Sequence, residues 1–331
     1  MDWRRRLAAI LGEESAAGRF AGTVLVTRRD EVLFEGAYGP ADREREIPVS
    51  METRFSVGSI TKLFTATQVV RLMQDGLVTP GDPVGRHLPD YPNAEVAEKV
   101  TVHHLLTHTG GTGDIFTDDY WERRAEVRTP QEFIGMFGER RPSFEPGSAY
   151  DYSNYGYILL GAIIERVAGG YGEHLERAVL RPAGMSRSGI GAEPEVAVGY
   201  TGDDGVPNTD FDVVRGNPAG GAYATAGDLR RFVLAVLHHE LLDAAHTELL
   251  TSGKVNAGFG GRQAYGFGEL SVHSIRSIGG AGGFPGANAV LTLYPGSEHV
   301  VAVLANQDPP VAERVAQFIN FALPASDLLH R

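Results

Sequence analysis

Apolar residues at positions 60, 63, 64, 66, 69, 70 and 73 recur with a helical period and little polar relief, and Gly76 stops the run. This pattern predicts a buried helix that begins near Ser59. Upstream, residues 3 to 17 read as an amphipathic helix, while 21 to 28 and 31 to 38 alternate as a strand pair turned at Arg29-Asp30. From 78 to about 191 the pattern becomes helical segments between Pro- and Gly-containing loops, at 102–107, 130–138, 157–169 and 173–180, with no convincing strand. After the turn at 218–221, a helix over 229–237 follows. Strand-like runs then return at 265–272, 274–279, 287–294 and 299–305, and a closing helix covers 311–323. The predicted fold is α+β, one unit over 1–331. An antiparallel sheet from about 1–75 and 218–331 surrounds an inserted, mainly helical region at about 76–217.

Composition narrows the function. With 331 residues the chain can bury a large core, and its 42% hydrophobic and 22% charged content is that of a soluble globular protein. A net charge of −12 argues against nucleic acid and anionic membranes as partners, since both need a basic face. There is no cysteine, which removes disulfides, thiolate metal sites and a cysteine nucleophile together. The apolar run 7–11 near the start is too short for a signal peptide, and no segment reaches 18 uninterrupted apolar residues, so a cytoplasmic protein is expected.

Lys62, one of only three lysines, stands in the first turn of the predicted buried helix. The positive end of the helix dipole makes a cation there unfavourable by about 0.3 to 1 kcal/mol. Ser59, three residues earlier, shares its face, so the amine can reach the hydroxyl. Dipole and burial both push the lysine toward the neutral form, and a base working near neutrality needs its pKa lowered to about 7 or 8. The bland alternative is an N-cap serine beside a lysine that snorkels to solvent.

Two further stretches carry candidate chemistry. Tyr152-Ser153-Asn154 lies in a loop just before the helix predicted at Tyr157, where Tyr152 could move a proton and Asn154 could bind substrate; packing and capping are the plain alternatives. The run 278–286 holds five glycines in nine residues between two predicted strands, as a backbone needs where something approaches closely or where a sheet turns a corner. Gly-x-Ser-x-Gly is absent. His103, His104 and His108 lack a His-Glu-x-x-His order and read as structural, and Asp203-Asp204-Gly205 reads as a turn. No metal or cofactor is expected.

Taken in order, Ser59-x-x-Lys62, Tyr152-x-Asn154 and a Gly-rich strand resemble the serine β-lactamase and penicillin-binding-protein superfamily, in its class C-like branch. Segments 105–110, 144–147, 182–185 and 219–225 resemble connecting segments of class C β-lactamases, related esterases, D-Ala-D-Ala carboxypeptidases and D-aminopeptidases. The likeness covers about residues 15 to 322. It implies that Ser59 is acylated, that Lys62 is its base and that Tyr152 relays a proton. It further implies that Asn154 holds the substrate's acyl side and that the N–H groups of Ser59 and Gly280 form an oxyanion hole. Alignment on Gly282-Gly283-Phe284 puts Ser277-Ile278-Gly279 at the third motif, with Ser277 where the family carries Lys or His and with Gly279 beside the substrate. The missing cation points to an esterase or amidase on small acyl substrates, with a β-lactamase or D-Ala-D-Ala carboxypeptidase/D-aminopeptidase as the alternative. A catalytically silent ligand-binding domain is the alternative from another class.

Overall fold

The structure is a computed structural model that describes residues 2–191, 195–202, 204–208 and 216–323. Asp203 of the expected 203–205 turn lies outside the described residues. Helix α1 (Trp3–Ala16) leads to strands β1 (Gly22–Arg28) and β2 (Glu31–Tyr38), and the predicted buried helix is α2 (Thr61–Gln74). The central block contains α3 (Val102–Leu106), α4 (Pro130–Phe137) and α5 (Asn154–Ala168). After α6 (Ala226–Leu237) come β3 (Val255–Gly258), β4 (Gly261–Gln263), β5 (Gly268–Val272), β6 (Ile275–Phe284), β7 (Ala287–Tyr294) and β8 (His299–Ala305), then α7 (Val311–Ala322).

These eight strands form one antiparallel sheet in the order β3-β4-β5-β6-β7-β8-β1-β2, so the two chain ends meet where β8 pairs with β1, Val24 opposite Val303. Period-two alternation sorts their side chains. Val24, Val26, Val301 and Val303 pack with Leu7, Leu11, Ala316 and Ile319 under α1 and α7, whereas Leu25, Ala302 and Leu304 lie on the other face in one core with Phe64 and Val69 of α2 and Phe232 of α6. Because both faces are covered, β1 and β8 read as continuous apolar runs.

Several predicted boundaries move. The strand expected at 265–272 starts only at Gly268, and the one expected at 274–279 continues through the glycines to Phe284, so the Gly-rich run is strand and not a connection between strands. Strand β6 lies inside the sheet. Its first half is paired with β5 up to Gly268–Gly279 and its second half with β7 alone, for example Gly282 opposite Ala289. A two-residue strand at Gly189–Ile190 ends the block expected to be free of them, and a further short pair, Tyr200–Thr201 with Val206–Pro207, follows beyond it. Helix α5 starts at Asn154, three residues before the predicted start, because Ser153 caps it by accepting the N–H of Gly156 at 2.9 Å.

Candidate active site

A single 3₁₀ turn, Gly58–Ile60, delivers Ser59 to the head of α2. Gly58 has φ +51, and a Cβ there would stand 3.0 Å from the Gly283 nitrogen, so glycine is required both by conformation and by the approach of β6. Thr61 fixes the turn from inside: its hydroxyl donates to Gly58 O at 2.7 Å and accepts from Ala222 N at 3.0 Å. No side chain caps this helix start, and Lys62, one residue on, is 2% exposed. The snorkelling alternative is therefore excluded.

The Lys62 amine has three oxygen neighbours, Ser59 Oγ at 3.0 Å, Asn154 Oδ1 at 2.7 Å and the Ala219 carbonyl at 2.6 Å. Desolvation lowers its pKa to about 7, with the Asp114 carboxylate pulling the other way. A lowering of that size corresponds to about 5 kcal/mol against the ammonium relative to water. Tyr152 donates its hydroxyl to Ser59 Oγ at 2.8 Å, and its ring lies 4.9 Å from the lysine nitrogen. Although 40% of the tyrosine's surface is exposed, burial of its hydroxyl end pushes the phenol up to about 12, with the hydrogen bond to Ser59 opposing. At neutral pH the amine can accept the serine proton and the phenol is a donor.

His108 supports the tyrosine. Its ring stacks on Tyr152 at 4.5 Å, its Nδ1 accepts the Ser153 N–H at 3.1 Å and its carbonyl accepts from Asp151 N at 2.9 Å. Desolvation first, and Lys62 second, lower it to about 3, so it is a neutral imidazole. His103 bonds the Tyr265 hydroxyl at 2.9 Å and His104 caps α3 with Thr101, so all three histidines are structural. Among the described residues no group of three His, Asp or Glu could hold a metal ion.

A cavity of about 260 Å³ opens over Ser59, with Tyr152, Asn154, Phe116, Ala219, Gly283 and Phe284 among its walls. Ser277, Gly279 and Gly280 are not among them and line a separate groove near α7. The expected placement of the third motif therefore needs correction. Ser277 points to Leu270 O at 3.4 Å, and a Cβ on Gly280 would meet Leu63, a turn beyond the serine. The strand comes closest at Gly282, whose Cβ would stand 2.8 Å from Ser59 N, so Gly283 rather than Gly280 shares the cavity with Ser59. In this glycine run a three-residue displacement along the strand leaves no trace in residue type.

Asn154 lines the cavity and also has partners on its inner side. Its oxygen is turned to Lys62, and its amide nitrogen donates to Asp114 Oδ1 at 3.0 Å and Oδ2 at 3.2 Å. Sequence reasoning missed Asp114; its only signal was an acid following the glycines 110, 111 and 113 in a loop.

The profile of the family described as Beta-lactamase matches residues 7–323. The chain belongs to the Beta-lactamase family. Serine-hydrolase chemistry through an acyl-enzyme comes with that membership. Esterase EstB of Burkholderia gladioli is 32% identical over 322 residues, covering 81% of this chain and 79% of that protein. Penicillin-binding protein 4* of Bacillus subtilis is 27% identical over 333 residues, covering 92% and 72%. The crystal structure of a penicillin-binding protein from Bacillus halodurans superposes with a TM-score of 0.85 at 31% identity, covering 95% of this chain and 98% of that one.

Proposed function

We propose that the protein hydrolyses small neutral esters or amides, with Ser59 as nucleophile and Lys62 as its base. The observation that carries the roles is the Lys62 amine, buried, lowered to about 7 and 3.0 Å from the Ser59 hydroxyl. Ser59 gives its proton to Lys62 as Oγ attacks the acyl carbon, and the oxyanion takes the N–H groups of Ser59 and Gly283. Tyr152 then gives its proton to the departing oxygen or nitrogen and is reprotonated from the Lys62 ammonium. Water releases the acyl group by the reverse proton path.

The substrate class rests on charge. Among the described residues lining the cavity there is no lysine, arginine or histidine, and Asp114 is the one acid; Lys62 lies beneath Ser59 and is used as the base. A substrate carboxylate would meet Asp114 without a cation to offset it, whereas a neutral acyl group meets Ile115, Phe116 and Phe284. The β-lactam and D-Ala-D-Ala alternatives both bring a carboxylate. Rates on nitrophenyl acetate and butyrate, a chromogenic cephalosporin and D-amino-acid nitroanilides, with Ser59→Ala as blank, test the reading. The esters should have the highest kcat/KM, and a cephalosporin turned over faster than either ester would refute the substrate class.

A further inference from the structure

A neutral amine has two N–H bonds and one lone pair, and it takes a proton only from the neighbour that the lone pair faces. Of the three oxygens around Lys62 Nζ, those of Asn154 and Ala219 are carbonyl oxygens, at 2.7 and 2.6 Å, and only accept. They take the two N–H bonds, which leaves the lone pair for the Ser59 hydroxyl at 3.0 Å. This holds only while Asn154 presents its oxygen. If the amide rotated by half a turn, its NH₂ would face Nζ and engage the lone pair itself.

Asp114, in the loop after α3, opposes that rotation. Its carboxylate receives the Asn154 side-chain nitrogen at 3.0 and 3.2 Å and the Asn154 backbone N–H at 3.2 Å, and is itself held by Ile115 N at 2.7 Å. A rotated amide would set its oxygen against the carboxylate. The geometry points to Asp114 as a positioning residue: by holding the nitrogen of the Asn154 amide it turns the oxygen to Lys62 and so aims the lysine lone pair at Ser59. This rests on the roles given above to Ser59 and Lys62.

The role has a signature that mere support of the loop lacks. The titratable groups facing Lys62 are Tyr152 and Tyr157, with rings at 4.9 and 5.7 Å, His108 and Asp114. The phenols are raised by burial and the imidazole is lowered to about 3, so Asp114 is the carboxylate that favours the ammonium. Removing its charge moves the lysine further down. The test is the pH profile of kcat/KM for a nitrophenyl ester in wild type, Asp114→Asn and Asp114→Ala, with intact mass for the Ser59 adduct and thermal unfolding to confirm the fold. Both variants should still be acylated on Ser59, with the plateau lower by about tenfold, the scale on which a charge-assisted hydrogen bond exceeds a neutral one. KM should change little, and the acid limb should move to lower pH. If Asp114→Asn does not fold, Asp114→Ala carries the test alone. An undiminished plateau, or a reduced plateau whose acid limb stays at the wild-type pH, removes Asp114 while the Ser59 adduct in wild type keeps the parent reading. No adduct in wild type overturns both.

Discussion

Adding one methyl group at Gly282 should disable the site, and adding one at Gly280 should not. Neither glycine has positive φ, so alanine is conformationally allowed at both and the difference is one of space. At 282 the new Cβ would stand 1.9 Å from Val57 O and 2.8 Å from Ser59 N, against a comfortable separation of roughly 3.5 Å. Both atoms belong to the backbone that carries the serine, so β6 and the 3₁₀ turn must part by more than about 1 Å. A displacement of that size costs on the order of 10²-fold in rate, and loss of one oxyanion donor about 10² to 10³-fold. The two describe the same event and do not add, so kcat/KM should fall by about 10² to 10³. Overpacking itself should cost about 1 to 3 kcal/mol of stability, leaving the fold intact. At 280 the Cβ meets only the Leu63 Cδ1 tip at 3.0 Å, which can rotate away, and acylation should stay within about fivefold of wild type. Single-turnover acylation by a nitrophenyl ester measures both, with thermal unfolding alongside. Wild-type acylation in Gly282→Ala, or greater damage from Gly280→Ala, would refute the placement of the oxyanion strand.

Three other outcomes follow. Lys62→Arg should abolish most turnover although the charge is kept, since a guanidinium cannot be deprotonated; in wild type, kcat/KM should fall as pH drops through about 7 and the amine is protonated, and a rate flat down to pH 5 would contradict the base. Ser277→His should leave the ester-to-cephalosporin ratio within about twofold, because residue 277 does not line the Ser59 cavity; a fall of ten-fold or more would restore the original placement of the third motif. Acid should unfold the protein by forcing protons onto His108 and His174, lowered by burial to about 3 and about 4. Both bind a proton more readily when unfolded, so stability is full above about pH 6.5 and is lost as pH falls toward those values, and His108→Gln should flatten the urea-midpoint-versus-pH curve between 6.5 and 4.

Legibility in the sequence tracked the physics of each element. The sheet strands β1, β2, β7 and β8 and the helix α2 were readable to within a residue or two because burial imposes strict periods. Ser59 and Lys62 were readable because a buried cation at a helix start is costly and so conspicuous. The Gly-rich half of β6 was not, since glycine is penalised in strands; it is tolerated here because Val57 and Ser59 occupy the space a side chain would fill. For the same reason the third motif could be placed three residues out of register. Asp114 was invisible because its meaning lies in contacts with Asn154, forty residues away in sequence.

The central claim is that Ser59 is made nucleophilic by a neutral Lys62. Its most direct measurement is covalent labelling with a fluorophosphonate at pH 6 and pH 8, followed by intact mass and peptide mapping. The account predicts one adduct on Ser59, formed faster at pH 8, and none in Ser59→Ala. A label on Ser56 or Ser153, or undiminished ester turnover in Ser59→Ala, would contradict it.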